Sequence, residues 1–156
     1  MDILERVDKY WYESALARGL RAPVVASESD LEAFEQNNGV RLPADLRKYF
    51  LELNGTDGDG DAQIFRFWPL GEIRRVDRKD FALLDADSYF LFADYLMESW
   101  YYAIYLGNDP FFQNRVILTG FPRNPVVAQT FSEFLELYLR DEPKLYGQLS
   151  QMSPTA

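Results

Sequence analysis

The hydrophobic positions of this chain change their spacing twice, first from three-or-four to two and then back, which divides it into helices, strands and a closing helix. Residues 3–17, "ILERVDKYWYESALA", put Leu4, Val7, Trp11 and Ala15 on one helical stripe, with Asp2 and Glu5 in capping positions and Gly19 beyond the end. The stripe is of moderate strength, so a peripheral helix is expected. A second, short and mostly solvated helix follows in "SESDLEAFEQNNG" (27–39). Either Ser27 with Asp30 or Ser29 with Glu32 can form its capping box, and Gly39 can close it in a left-handed conformation. In "VRLPADLRKYFLELNG" (40–55) Leu42, Leu46, Tyr49, Phe50 and Leu53 recur at helical spacing. Pro43 suits the first turn of that helix, where a backbone N–H has no partner in any case, and Asn54-Gly55 stops it.

The spacing then becomes that of strands. "AQIFRFWPL" (62–70) is read as a strand with Ile64 and Phe67 in its alternation and Pro69 at its end. Residues 72–88 carry mixed charge and leave room for a short strand and a turn. From Tyr89 to Phe112 there are ten aromatic residues in twenty-four, against 16% for the whole chain, a density that favours paired strands. Residues 89–95 and 99–106 are expected to pair antiparallel, with 115–120 and 125–129 as two more strands. Residues 130–140 return to helical spacing, with Thr130 as N-cap, Glu133 completing its box, and Phe131, Phe134, Leu135 and Tyr138 on one face. The end of the chain, 147–156, reads as a flexible tail.

Helices, then strands, then a helix imply an α+β fold: a single domain over residues 1–156, with an antiparallel or mixed sheet of about four to six strands and helices packed on one face. The length of 156 residues and hydrophobic content of 47% agree with one globular core. With no cysteine and no histidine, disulfides, thiolate chemistry, Ser-His-Asp catalysis and most transition-metal sites are excluded. The formal charge of −9 opposes nucleic acid and anionic membranes and favours a basic partner through electrostatic steering. The N-terminus lacks the apolar run of a signal peptide, and no segment approaches ~20 apolar residues, so a cytoplasmic protein is expected. No cofactor is implied.

Three places could carry chemistry or contact. Asp57-Gly58-Asp59-Gly60-Asp61 sets three carboxylates at alternate positions, as a calcium loop does, but Ala62 and Trp68 stand where such a loop needs its glycine and its bidentate glutamate. Asp57, Asp59 and Asp61 therefore read as a solvated Gly-Asp turn or as a contact loop for a cationic partner, and no metal is expected. Asp94 and Glu98 flank a hairpin turn and read as solvated turn residues or as an acid pair. In 100–106, Trp100, Tyr102, Ile104 and Leu106 share the face expected to be core. Tyr101 and Tyr105 share the other, either as exposed interface anchors or under covering helices. The basic run 74–79, "RRVDRK", is interrupted and flanked by aspartates and reads as a charge-balanced face.

These stretches carry a resemblance. "SDLEAFEQNNGVRLPADLRKYFLELNG" (29–55), with Gly39, Leu42, Pro43, Tyr49, Phe50, Asn54 and Gly55, resembles the signature of the SUKH superfamily, the Smi/Knr-like proteins. "FLFADYLMESWYYAIYL" (90–106) is similar to that family's central strand pair and "VVAQTFSEFLELYL" (126–139) to its final strand and helix, so the resemblance covers roughly 27–140. It implies an α+β fold with no shared catalytic set, whose bacterial members are commonly immunity proteins of polymorphic toxin systems. The matching residues are apolar or turn-forming, and no functional residue transfers from them. The expected function is therefore not enzymatic: an immunity protein that neutralises a cognate, basic toxin such as a nuclease by direct binding. The alternatives are a regulatory interaction scaffold of the same fold and a carboxylate-dependent hydrolase.

Overall fold

Among the described residues, three of the four α-helices begin where a side chain supplies the acceptor that the helix cannot give its first N–H groups, and the third in chain order begins after Pro43 without such a cap. The computed structural model describes residues 1–18, 24–56, 60, 61, 63–77, 83–120 and 123–147, the side chains of 15–18 excepted. Helix α1, Ile3–Arg18, starts with the Glu5 N–H donating to Asp2 Oδ1 at 2.8 Å. Helix α2, Glu28–Asn38, carries the Ser27–Asp30 box in full, at 3.1 and 2.9 Å, and ends on Gly39 at φ 63°. Helix α3, Ala44–Glu52, follows Pro43 and buries Leu46, Tyr49 and Phe50. Helix α4, Phe131–Leu139, has the Glu133 N–H donating to Thr130 Oγ1 at 3.0 Å. The Glu133 carboxylate reaches back one residue further than expected, accepting from the Gln129 N–H at 3.0 Å.

Among the described residues, six strands form one sheet, antiparallel throughout: β1 Phe65–Phe67, β2 Arg74–Arg75, β3 Tyr89–Tyr95, β4 Trp100–Tyr105, β5 Val116–Thr119 and β6 Val126–Ala128. The order is β1-β3-β4-β5-β6, with β2 also on β3. β1 and β2 thus share one edge of β3, as two pieces separated by Pro69 and a 3-10 turn, because proline cannot donate to a ladder. The strand expected at 62–70 is shorter and out of phase with its reading. Ile64 adopts φ 63°, and it is Phe65 and Phe67 that point into the core.

The four helices lie on one face of the sheet and enclose a core rich in aromatic rings. Phe65, Phe67, Phe92, Tyr102, Phe131 and Phe134 are all buried there, and their ring centroids lie about 5–6 Å apart, within the range of favourable stacked and edge-on contacts. α1 is not peripheral. Trp11 packs against Tyr49 and Phe67 and donates Nε1–H to Tyr138 Oη at 2.9 Å, joining α1 to α4. At the other end a 3-10 turn, Pro143–Tyr146, buries Leu145, whose carbonyl accepts from the Tyr102 hydroxyl at 2.7 Å. Of the expected tail, only Gly147 lies among the described residues.

The second face of the sheet has its own smaller cluster of Trp68, Val76, Ala86, Tyr89, Leu91, Ala103, Tyr105 and Ile117. No helix of the four covers it; the turns at 83–88 and 108–115 do, through Leu83, Ala86 and Phe112. Among the described residues, no helix is long and apolar enough to cross a membrane.

Candidate functional site

The acidic loop and the hairpin carboxylates are placed differently from their sequence reading. Asp57 and Asp59 lie outside the described residues. Asp61 is not solvated: it is 2% exposed and turns toward the helices. Its Oδ1 accepts from the Gln63 and Phe65 N–H groups at 2.8 and 3.0 Å, and its Oδ2 accepts from the Tyr138 hydroxyl. Burial, with the Asp61 charge beside it, pushes the Tyr138 phenol well above the ordinary tyrosine range. The expectation of an exposed Asp61 is thereby corrected. A short loop that leaves α3 and enters β1 needs acceptors for its inward N–H groups, and Asp61 supplies them.

Asp94 is likewise buried, at 2%, and on the opposite face. The cause is a bulge in β3. Leu91 pairs with Ala103 and Ala93 with Tyr102, so Phe92 is an extra residue and both Phe92 and Ala93 join the helix-side core. The phase of the strand then shifts, and Asp94 opposite Tyr101 faces the second cluster. Its Oδ2 accepts from Trp68 Nε1 at 2.6 Å, with Arg66 Nη1 3.6 Å away, and its Oδ1 accepts from the Glu98 N–H at 3.1 Å. The reading of Asp94 as a solvated turn residue is corrected. Glu98 is exposed in a turn where Leu96, Met97 and Glu98 all have positive φ, at 53°, 54° and 68°. Holding three non-glycine residues there costs roughly 1–2 kcal/mol each, offset by the bonds to Asp94 and by the Ser99 hydroxyl donating to the Leu96 carbonyl at 2.7 Å.

Tyr101 is half-buried on the second face, edge-on to Trp68 at 6.1 Å, and burial, with Glu98 beside it, raises its phenol above the ordinary range. Tyr105 is only 4% exposed, which corrects the expectation that it is an open anchor. The turn after β4 folds back over it, with the Asp109 N–H donating to Tyr105 Oη at 3.2 Å and the Phe112 ring 5.8 Å away. Four of the residues singled out in the sequence thus gather on the second face, namely Asp94, Glu98, Tyr101 and Tyr105. Asp61 is on the other side of the sheet.

The same fold-back creates a cleft of about 250 Å³ that sequence reasoning missed, lined by Leu84, Tyr89, Tyr105, Phe112, Arg115 and Arg123 among others. Two large apolar side chains stand in solvent beside its walls, Leu84 at 84% and Phe111 at 83% exposure. A signal was available in "NDPFFQN" (108–114), where a polar turn carries two adjacent phenylalanines: Phe112 packs inward and Phe111 is left out. The two buried carboxylates lie on opposite faces of the sheet, and each is spent on donors from its own chain, so they form no acid pair. Among the described residues no group of three acidic side chains could hold a metal.

The SMI1 / KNR4 family (SUKH-1) matches residues 25–137, a span that takes in α2, α3, all six strands and most of α4. No curated protein matches the chain.

Proposed function

The chain belongs to the SMI1/KNR4 family (SUKH-1), and from that footing we propose that it is a protein-binding domain of the immunity type, which neutralises a cognate toxin by covering it in a direct complex. The observation that carries this reading is the second face of the sheet, where exposed Leu84 and Phe111 flank a cleft walled by Tyr89, Tyr105, Phe112 and Arg115. A half-buried arginine held by a buried tyrosine and flanked by exposed apolar side chains resembles the centre of an interface hot spot, with Tyr89 and Tyr105 as its buried support rather than as contacts. Glu98 and Tyr101 lie on the same face and extend the surface toward the β3–β4 turn. The net charge of −9 speeds encounter with a basic partner such as a nuclease. A cytoplasmic location fits such a role, since an immunity protein must meet the toxin where the toxin acts.

The test is co-expression with the product of the adjacent gene in the native genome. That product alone should arrest growth, and this chain should restore it and co-purify with it. Leu84→Ser with Phe111→Ser should weaken the complex by at least tenfold while leaving the urea midpoint unchanged. Neither complex nor protection would refute the immunity reading. A complex without protection would favour the regulatory scaffold instead.

A further inference from the structure

Arg115 is the residue of this surface whose chemistry is unused. It is half-buried and its orientation is fixed twice: Nε donates to Tyr89 Oη at 3.0 Å, and the guanidinium lies over the Phe112 ring, 4.1 Å from its centroid. Its Nη1 and Nη2 meet no acceptor among the described residues, although the chain has twenty-five carboxylates to sixteen basic groups. The contrast with Arg47 is direct, since Arg47 is paired at 2.7 Å with both Glu28 and Glu35. Arg123 lines the same cleft, also without a partner among the described residues, and the cleft's acid, Asp85, makes no ion pair there. Among the described residues that line it, two guanidiniums to one carboxylate leave this cleft positive in an otherwise acidic protein. A guanidinium that is already oriented and partly desolvated loses little entropy when a carboxylate arrives to accept one N–H from each of Nη1 and Nη2.

We propose that this cleft receives an acidic side chain, Asp or Glu, of the bound protein partner. Its carboxylate pairs with the Arg115 fork, and the apolar residue beside it packs against Phe111 and Leu84. The inference rests on the reading of this face as the partner surface and adds the chemistry of one contact. A basic partner as a whole would be drawn in by net charge, and a single acidic side chain seated here would fix its register.

The probe is the blocked dipeptide N-acetyl-Phe-Glu-amide, titrated into the full chain and followed by NMR of the arginine Nε–Hε groups and aromatic rings. N-acetyl-Phe-Gln-amide and acetate serve as controls. The Glu peptide should shift Arg115 Nε–Hε and the Tyr89 and Tyr105 rings saturably, at millimolar concentration as suits so small a ligand. The Gln peptide should bind at least tenfold more weakly, and acetate weaker than either peptide. R115Q should abolish the response, while R115K, which keeps the charge and loses the fork, should retain a weakened one. Should R115Q fail to fold, judged by its amide spectrum, R115K carries the same test. Equal binding of the two peptides, shifts confined elsewhere, or no shift up to the limit of solubility overturns the proposal. Failure here with successful toxin capture would remove only the acidic contact, whereas failure of capture would remove the immunity reading whatever the peptide does.

Discussion

Replacing Asp61 by asparagine separates a carboxylate built into the fold from one sitting in a solvated turn. The amide keeps the oxygen that accepts from Gln63 and Phe65. It loses the other oxygen, which accepts from the Tyr138 hydroxyl, and presents two hydrogens in its place. Tyr138 Oη already accepts from Trp11 Nε1 at 2.9 Å, so the hydroxyl would face two donors while its own hydrogen lost its acceptor in a site that is 6% exposed. A hydrogen bond to a charged acceptor contributes about 1.5–3 kcal/mol, and a buried unpaired hydroxyl costs a further fraction of that, so Asp61→Asn should destabilise by about 2–3 kcal/mol. Asp61→Ala also orphans two backbone N–H groups and should lose roughly 4 kcal/mol or more.

Urea denaturation at neutral pH measures this. With a slope of about 2 kcal/mol per molar for a domain of this size, the Asn variant's midpoint should fall by about 1 M. A cycle with Tyr138→Phe locates the effect, because both substitutions break the same contact and should be less than additive by at least ~1 kcal/mol. An unchanged midpoint for Asp61→Asn, or full additivity in the cycle, would refute the inward carboxylate and return the loop to a solvated turn.

Three further outcomes follow from the structure. Gly55→Ala should destabilise by about 2–4 kcal/mol, because its Cβ would sit 2.6 Å from the Phe67 carbonyl oxygen and 2.9 Å from Trp68 C and Pro69 N, at φ 88°; an unchanged midpoint would show that strand β1 does not pass so close. Tyr49→Phe should be neutral or stabilising by up to ~1 kcal/mol, since among the described residues the buried hydroxyl completes no hydrogen bond, the Gly55 N–H only facing it; a loss above ~1 kcal/mol would contradict this. Burial raises the phenols of Tyr49, Tyr102 and Tyr138 in the folded state, so their contribution to stability is fully present below the unfolded tyrosine pKa of about 10 and is lost as pH rises beyond it. Tyrosinate absorbance should therefore rise in two steps, the second coinciding with loss of the far-ultraviolet circular dichroism signal; complete ionisation with the fold intact would contradict the burial.

The elements were legible where their cause is local. The Ser27–Asp30 box, the Gly39 stop, the Thr130 cap and the stripe Phe131, Phe134, Leu135 and Tyr138 are each set by neighbours within one or two turns, and each is found in place. Strands β3 to β6 were legible for the same reason, through period and aromatic density. What was not legible depends on residues far apart in the chain. Trp11 is central because Tyr138, more than a hundred residues away, supplies its acceptor. The β3 bulge inserts one residue between two well-formed registers, and no pattern within "YFLFADY" marks which residue is the extra one.

The two misread aspartates share a physical reason. An exposed Asp-Gly turn and an Asp that caps inward N–H groups have the same sequence, and only the direction of the chain around them differs. At Asp61 that direction is set by Gly60, which at φ 94° brings the loop so close to β1 that an added Cβ would meet the Phe65 carbonyl oxygen at 2.5 Å. At Asp94 it is set by the β3 bulge, which turns the carboxylate to the face where the buried Trp68 indole N–H donates to it. Both carboxylates therefore secure edge strand β1 and its continuation, one from each face of the sheet, and neither is free to meet a partner. On the proposed reading the surface that would select one is the exposed rim of the second face, Leu84, Phe111 and Glu98, with the Arg115 fork, which meets no acceptor among the described residues. Substitutions there should change what is bound without changing whether the chain folds.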